Sequence, residues 1–348
     1  MSYDAILFVS FGGPERTDDV MPFLENVLRG RNVPRERMYQ VAEHYYLFGG
    51  KSPINDQNRA LIAALTRELQ QHGLDLPIYW GNRNWHPMLA NAMQQMKADG
   101  VKRALAFVTA AYSSYSSCRQ YRENITAAQS AAGEGSPQVD KIRVFYNHPG
   151  FVEANVAQVQ AALEAIPAER RSEAHIAYTA HSISASMAQS CAYEQQLREV
   201  ARLVSTALGR EPDPLVFQSR SGPASQPWLG PDILDHIREL KQQGATHLVI
   251  APIGFVSDHM EVLYDLDTEA ANLCRELGIT MVRAATAGTH PRFVSMMREL
   301  IAERITGESA RPALGVFPPN PDVCQIDCCP APVRLPAAVS RPDAPRPA

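Results

Sequence analysis

A helix that opens at Pro87, closes at Gly100 and leads into a strand ending at Ala110 is met again at Pro231, Gly244 and Gly254, a constant offset of 144 residues. The correspondence extends outward. Ile176 to Ala180 repeats the apolar character of Ala5 to Ser10, so Ala180, His181 and Ser182 fall where Ser10, Phe11 and Gly12 fall. Leu215 to Arg220 answers Ile78 to Arg83, each ending on an arginine. Identity between the halves is slight, but the order of elements is the same. Short apolar runs such as Ala5 to Ser10 (AILFVS) and Ala104 to Thr109 (ALAFVT), followed by amphipathic segments, are the pattern of parallel strands buried on both faces. Asn58 to Gln71, with Leu61, Ile62, Leu65 and Leu69 at helical spacing, is the clearest helix. The duplication predicts an α/β protein of two Rossmann-like domains, each a parallel sheet covered by helices, facing one another across a cleft. The expected boundaries are 1–145 and 146–310. A tail over 311–348 holds ten of the 26 prolines and is unsuited to a packed domain.

A duplicated plan sets particular side chains on the two walls of that cleft. His181 and the segment around Glu261 lie at strand ends of one domain, and Phe11, Arg83 and Tyr115 line the other. Leu248 to Glu269 (LVIAPIGFVSDHMEVLYDLDTE) is an apolar strand breaking into a line of acids. Asp258 is the expected helix N-cap, with Glu261 three residues on completing a capping box. Steps of four from Glu261 reach Asp265 and Glu269, which stacks three carboxylates on one helix face. Such a face is either solvated or neutralised by a divalent cation. The helix expected from Asp18 delivers Arg29, Gly30 and Arg31 at its end, where two arginines either clamp carboxylates or meet the helix dipole. Gly50, Lys51 and Ser52 do not form a phosphate loop, since Tyr45 stands where that motif needs glycine and Pro53 removes a donor. No nucleotide is expected.

With 37 acidic and 33 basic residues and a pI near 6.2, the chain has no basic field for nucleic acid. No signal segment opens it and no apolar run approaches the roughly 20 residues of a membrane span. A cytoplasmic location is expected, with at most peripheral membrane contact. Six cysteines in such a chain are expected to be reduced, buried or metal-bound. Cys324, Cys328 and Cys329 sit in the tail, where a thiol has no packing role, and three thiolates lack one ligand of a four-thiolate site. Cys118, in a loop rich in serine and tyrosine that looks exposed, is the candidate fourth. Cys191 and Cys274 fall in helices as small core residues.

Taken together, FGGPE at Phe11 to Glu15, RGR at Arg29 to Arg31, FGGKSPIN at Phe48 to Asn55, WGNRNW at Trp80 to Trp85, TAHSI at Thr179 to Ile183, QSRSGP at Gln218 to Pro223, PWLGPD at Pro227 to Asp232 and PIGFVSDHMEVLYDLD at Pro252 to Asp267 make the chain resemble the ferrochelatases. These enzymes insert ferrous iron into a porphyrin in haem synthesis. The likeness is greatest to the actinobacterial type with cysteines in the C-terminal tail, and it covers nearly everything from Ser10 to Arg283. It implies that His181 matches the active-site histidine and Glu261 its paired glutamate on either side of the metal. Asp265 and Glu269 match an acidic ladder that passes metal inward. Ser184 stands where proline is common in the family, which alters only the local turn. Some relatives have tyrosine at Phe11; phenylalanine cannot ligate and should pack against the macrocycle. The resemblance also implies a 2Fe-2S cluster on Cys118, Cys324, Cys328 and Cys329, followed by a disordered end, although the adjacent Cys328 and Cys329 depart from the mammalian spacing.

Metalation replaces two pyrrolic protons with Fe²⁺, so iron is a substrate and the site must strip water from it and accept protons. Neutral His181, with an ordinary pKa of roughly 6.5, could cycle at cytoplasmic pH. Arg29, Arg31, Arg83 and Tyr45, with Ser52 and Tyr115 behind them, are candidate partners for the porphyrin propionates. Coproporphyrin III is the expected substrate and protoporphyrin IX the alternative. A cobalt or nickel tetrapyrrole chelatase and a non-catalytic metal or haem carrier remain competing readings. Other enzymes of haem synthesis and an iron donor are the expected protein partners.

Overall fold

The apolar runs become the inner strands of two sheets. The computed structural model describes residues 2–30, 33–222, 225–307 and 310–332. Strands β1 (Ala5–Ser10), β2 (Ile78–Asn82), β3 (Arg103–Val108) and β4 (Gln138–Lys141) form a parallel sheet in the order β2-β1-β3-β4. Strands β5 (His175–His181), β6 (Leu215–Gln218), β7 (His247–Ala251) and β8 (Thr280–Arg283) form a second in the order β6-β5-β7-β8, also parallel. The duplication is therefore topological: each half places its first strand between its second and third. This is the α/β architecture of two Rossmann-like halves.

Parallel neighbours need crossover connections, and these are helical. Helices α1 (Val20–Val27), α2 (Arg35–Tyr46) and α3 (Ile54–Gln71) lie between β1 and β2, α4 (Leu89–Ala98) between β2 and β3, and α5 (Gln120–Ala132) between β3 and β4. Helix α6 (Pro149–Glu164) joins the sheets. The second half adds α7 (Ala185–Gln189), α8 (Tyr193–Ala207), α9 (Ile233–Gln242) and α10 (Ala271–Glu276), and α11 (Pro291–Thr306) returns to pack on α6 and α3.

Some boundaries differ from the sequence expectations for identifiable reasons. Strands β4 (QVDK) and β8 (TMVR) are sheet edges, each paired on one side, so no continuous apolar run marks them. Helix α3 begins at Ile54, four residues before Asn58, because Pro53 occupies a helix start where a missing N–H costs nothing. The helix after Pro87 begins at Leu89, since the Pro87 carbonyl instead accepts from the Asn82 N–H at 2.7 Å. From 310 to 332 the tail has no helix or strand, yet it is fastened down. Leu314 N–H donates to the Asn147 carbonyl at 2.8 Å, Asn147 Nδ2 to the Phe317 carbonyl at 3.0 Å, and Val316 N–H to Glu199 Oε1 at 3.0 Å. Residues 333–348, expected to be disordered, lie outside the described residues.

One apolar core serves both sheets. Ile6, Phe8, Leu105 and Phe107 from the first and Ile176, Tyr178 and Ala180 from the second meet through α6, α8 and α11. Alternate residues Ala5, Leu7 and Val9 face a separate core beneath α4 and α5. Phe107, Phe145, Phe151 and Phe293 run through the shared region with neighbouring ring centroids 5.3 to 6.1 Å apart. Each such ring contributes about 1.5–3 kcal/mol by burial.

Arg143 lies wholly within this region, donating from Nε and Nη2 to Glu303 on α11 at 2.9 and 3.1 Å and to the Pro312 carbonyl at 3.2 Å. It ties α11 and the tail to the segment after β4. Arg143→Leu leaves Glu303 buried with only Arg311 nearby, at 3.6 Å, and is expected to cost about 3–5 kcal/mol in chemical denaturation. Arg143→Leu with Glu303→Leu should recover much of that loss. A single variant within about 1 kcal/mol of wild type would contradict this account.

Candidate active site

The carboxyl ends of the two sheets face each other. Tyr112, beyond β3, donates from its hydroxyl to the Ile253 carbonyl beyond β7 at 2.8 Å. Gln57 of α3 accepts from the Asp258 N–H at 2.8 Å. Higher up, the rings of His44 on α2 and Tyr264 stack with centroids 3.5 Å apart. The loop after β7 lies close against the end of β5. Its Gly254 donates to the Thr179 carbonyl at 3.0 Å, and a Cβ there would come within 2.5 Å of the Ala180 methyl. This close approach, which only glycine allows, brings the Glu261 segment beside His181.

His181 Nε2 lies 3.4 Å from Glu261 Oε1, and its Nδ1 bonds to the Ser182 carbonyl. Their side chains are 30 % and 46 % exposed, so the pair lines an open cleft. Burial opposes charge on both groups, but their attraction prevails: His181 is raised to about 9 and Glu261 is held down to about 2. At neutral pH the resting pair is imidazolium and carboxylate, in contrast to the neutral His181 expected from its ordinary pKa. His259, which sequence reasoning left without a role, accepts from the Glu261 N–H at 3.2 Å and places its Nδ1 3.8 Å from Glu261 Oε2. Its position two residues before Glu261, at the entry to the acidic helix, was the available signal.

The expected capping box is not formed. The Asp258 carboxylate instead accepts from Arg283 at 3.1 Å and from the Thr286 hydroxyl at 3.1 Å, and Glu261 makes no side-chain cap. Asp265 and Glu269 sit on a π-helical segment, Val262–Ala270, which Glu261 immediately precedes and which continues into α10. Its wider turn still gathers them. Burial and the charges of Glu261 and Glu269 raise Asp265 to about 7, against the opposing hydrogen bond from Ser219. Ser219 reaches Asp265 from a left-handed backbone conformation with φ of 61°. Gln218 Nε2 donates to the Glu261 carbonyl at 3.0 Å and approaches Asp265 at 3.4 Å. Glu269 is raised by burial and then by Asp232.

On the facing wall, Phe11 is 37 % exposed and packs edge-on against Phe23, with the Arg83 guanidinium 5.7 Å from its ring. Arg83 also donates to the Ser116 carbonyl at 3.3 Å. Tyr45, half-buried, is raised by burial and by the charge of Glu261, which places it across from the pair. The Tyr115 hydroxyl donates to Glu123 at 3.0 Å. Ser52 is buried, its N–H donating to the Pro14 carbonyl at 2.9 Å. Arg29 is exposed beyond α1, and Arg31 lies outside the described residues.

Cys118 is buried, contrary to its exposed-looking sequence context, because a π-helical turn over Tyr115–Arg119 rotates it inward. The tail brings Cys324 against it. Cys118 and Cys324 act on one another's proton affinity, as do Cys324 and Cys328 and Cys328 and Cys329, so the four thiols lie side by side. Hydrogen bonding to Cys324, against burial and with help from Lys141 and Arg122, lowers Cys118 to about 5. Cys274 is a core residue as expected, whereas Cys191 is half-buried with its thiol on the Met187 carbonyl at 3.1 Å. Among the described residues no group of three or more His, Cys, Asp or Glu side chains is arranged around a single metal-ion position. The four sulfurs form a linked row, which is a different geometry.

The model of the ferrochelatase family matches residues 3–305. A ferrochelatase of Rhodopirellula baltica is 59 % identical, the alignment covering 98 % of this chain and 97 % of the relative. A coproporphyrin III ferrochelatase of Streptomyces coelicolor is 51 % identical, covering 97 % and 96 %. Among solved structures, SirB from Bacillus subtilis with Fe3+ shares the fold at a TM-score of 0.53 and 14 % identity, over 87 % of this chain and 97 % of that one. The match spans both sheets, the His181 strand end and the acidic segment after β7, and relatives more than half identical are covered almost end to end; this chain belongs to the ferrochelatase family.

Proposed function

We propose that the chain inserts ferrous iron into coproporphyrin III, releasing both pyrrolic protons, with His181 and Glu261 as the catalytic pair. The observation that carries this reading is the 3.4 Å pair opposite Phe11 and Arg83 in a member of this family. Half-identical relatives from Streptomyces coelicolor and Streptomyces griseus are named for coproporphyrin III. The Rhodopirellula baltica relative is named without a porphyrin, which keeps protoporphyrin IX as the second reading. No helix among the described residues is long and apolar enough to cross a membrane, and we place the activity in the cytoplasm.

The macrocycle holds its nitrogen lone pairs in the ring plane, so metal must meet them from one face. Phe11 packs on the ring without ligating it. His181 and Glu261 offer a nitrogen and an oxygen to the metal-facing side. With His181 raised to about 9, its proton must leave before Nε2 can ligate iron or take a pyrrolic proton. An approaching dication drives this loss, because nearby positive charge disfavours imidazolium. Asp265, near 7, is the neighbouring acceptor, and Glu269 continues the path outward. Iron travels the same carboxylates inward, exchanging water for oxygen ligands. For the propionates we assign Arg29, Arg31, Arg83 and Tyr45, with Ser52 and Tyr115 supporting them.

We further assign a 2Fe-2S cluster to Cys118, Cys324, Cys328 and Cys329. Four neighbouring thiols, one of them already biased to thiolate, are a donor set that fits this group. The cluster, when bound, supplies a one-electron centre, and no step of metal insertion needs one. The cysteines hold the tail against the Cys118 turn.

His181→Ala is expected to lower iron insertion by about 10²–10⁴-fold while porphyrin still binds, as read by metalloporphyrin absorbance and by fluorescence quenching; turnover near wild type would remove His181 from the chemistry. Iron capture needs ionised Asp265, so its apparent affinity should fall as the pH drops through about 7. Asp265→Asn should abolish that acid limb and raise the KM for iron, and an unchanged profile would exclude the ladder. Coproporphyrin III should exceed protoporphyrin IX in kcat/KM, and the opposite order would select the second reading.

A further inference from the structure

Two cations near the cysteine row have no carboxylate partner among the described residues. Arg122, on the first turn of α5, donates from Nη2 to Cys328 Sγ at 3.3 Å. Its Nε is buried and has no hydrogen-bond partner among the described residues. Lys141, at the end of β4, donates to the Ile142 carbonyl at 2.8 Å, and its charge lowers the Cys118 thiol. Arg119 holds the backbone instead, donating to the Cys328 carbonyl at 3.3 Å and pairing with Glu123 at 3.0 Å. The distinction matters physically. Arg122 is half-buried, and a guanidinium drawn partly out of water with no acid beside it is favoured where something anionic stands close. Here sulfur from two separate chain segments is what stands close, Cys328 from the tail and Cys118 from the turn before α5.

The geometry points to Arg122 and Lys141 as positioning residues that set the reduction potential of the centre held by the four cysteines. This rests on the cluster reading above. A four-cysteinyl 2Fe-2S centre is a dianion when oxidised and a trianion after taking up one electron. A fixed cation, and a hydrogen bond donated to a ligating sulfur, therefore stabilise the reduced form more than the oxidised one and raise the potential. No proton need accompany the electron, since these cations carry their charge throughout. Arg122 also supplies direction. Its planar fork aims one N–H at Cys328 while Nε stays buried beside it, so a lysine there would keep the charge and lose the geometry.

The test uses the full chain, purified with oxygen excluded and titrated against dithionite with redox mediators while its visible absorbance is followed. Arg122→Gln and Lys141→Gln are each expected to shift the midpoint to lower potential. The shift corresponds to roughly a tenfold change in the reduction equilibrium, about 59 mV for one electron. Arg122→Lys should fall between wild type and Arg122→Gln. Iron and acid-labile sulfide are assayed in every sample. Wild-type protein lacking both would remove the cluster reading itself. Wild-type protein holding both, with Arg122→Gln and Lys141→Gln loaded equally and their midpoints unmoved, would overturn only the role of these cations. If Arg122→Gln cannot be loaded, Arg122→Lys and Lys141→Gln decide, and wild-type midpoints in both would count against it.

Discussion

The apolar core shared by the two sheets is the constraint from which the site follows. Phe8 and Phe107 on one sheet and Tyr178 on the other are buried in a single cluster bridged by α6, α8 and α11. Because that cluster joins the sheets along their inner faces, the strand ends carrying Phe11 and His181 are held opposite one another. Neither half could create the site alone. One supplies an aromatic and cationic wall, and the other supplies a histidine with a line of acids. Buried polar contacts refine the juxtaposition. Tyr112 donating to the Ile253 carbonyl and Gln57 accepting from Asp258 are short bonds across the junction, where an unmade partner would carry a desolvation cost.

That placement produces the electrostatics. Glu261 stands within an ion-pair distance of His181, close to His259 and next above Asp265. A carboxylate so placed lowers its own proton affinity and raises that of both His181 and Asp265. The result is an alternation: a protonated imidazole, an ionised Glu261, then Asp265 near neutrality. Adjacent groups pushed in opposite directions by burial and neighbouring charge are the pattern that functional clefts show. Gln218 and Ser219, from the QSRSGP segment, hold this line from the side. The left-handed conformation of Ser219 is the backbone strain at which its hydroxyl meets Asp265.

Much of this was legible in the chain. The offset of 144 residues conveyed the duplicated order of elements, because continuous apolar runs and their punctuation report strands buried on both faces. It could not convey β4 and β8, whose edge positions require little hydrophobicity. The positions of His181 at a strand end and of Glu261 and Asp265 four residues apart beyond β7 were readable. Two local features were not. The capping box at Asp258 follows helix propensity, but Arg283 and Thr286 compete for that carboxylate and win through contacts distant in sequence. The inward rotation of Cys118 depends on a π-helical turn that no periodicity of 3.6 residues describes. His259 was visible only as part of a motif, since its role depends on a backbone path around Glu261.

The turn over Tyr115–Arg119 joins the two chemical regions of the molecule. On one side Ser116 offers its carbonyl to Arg83, which lies over Phe11 at the cleft wall. On the other, Cys118 points inward to meet Cys324, and Arg119 holds the Cys328 carbonyl. A wider helical turn is what allows successive residues to serve opposite faces without breaking the chain into a loop. The turn runs directly into α5, which carries Arg122, so the cysteine row and the cleft wall share one rigid support. Any force that pulls the tail away from Cys118 therefore acts on the same backbone that orients Arg83. The tail is thus anchored at the Cys118 turn to the half that presents Phe11 and Arg83, and through Val316 and Glu199 of α8 to the half that presents His181 and the acids.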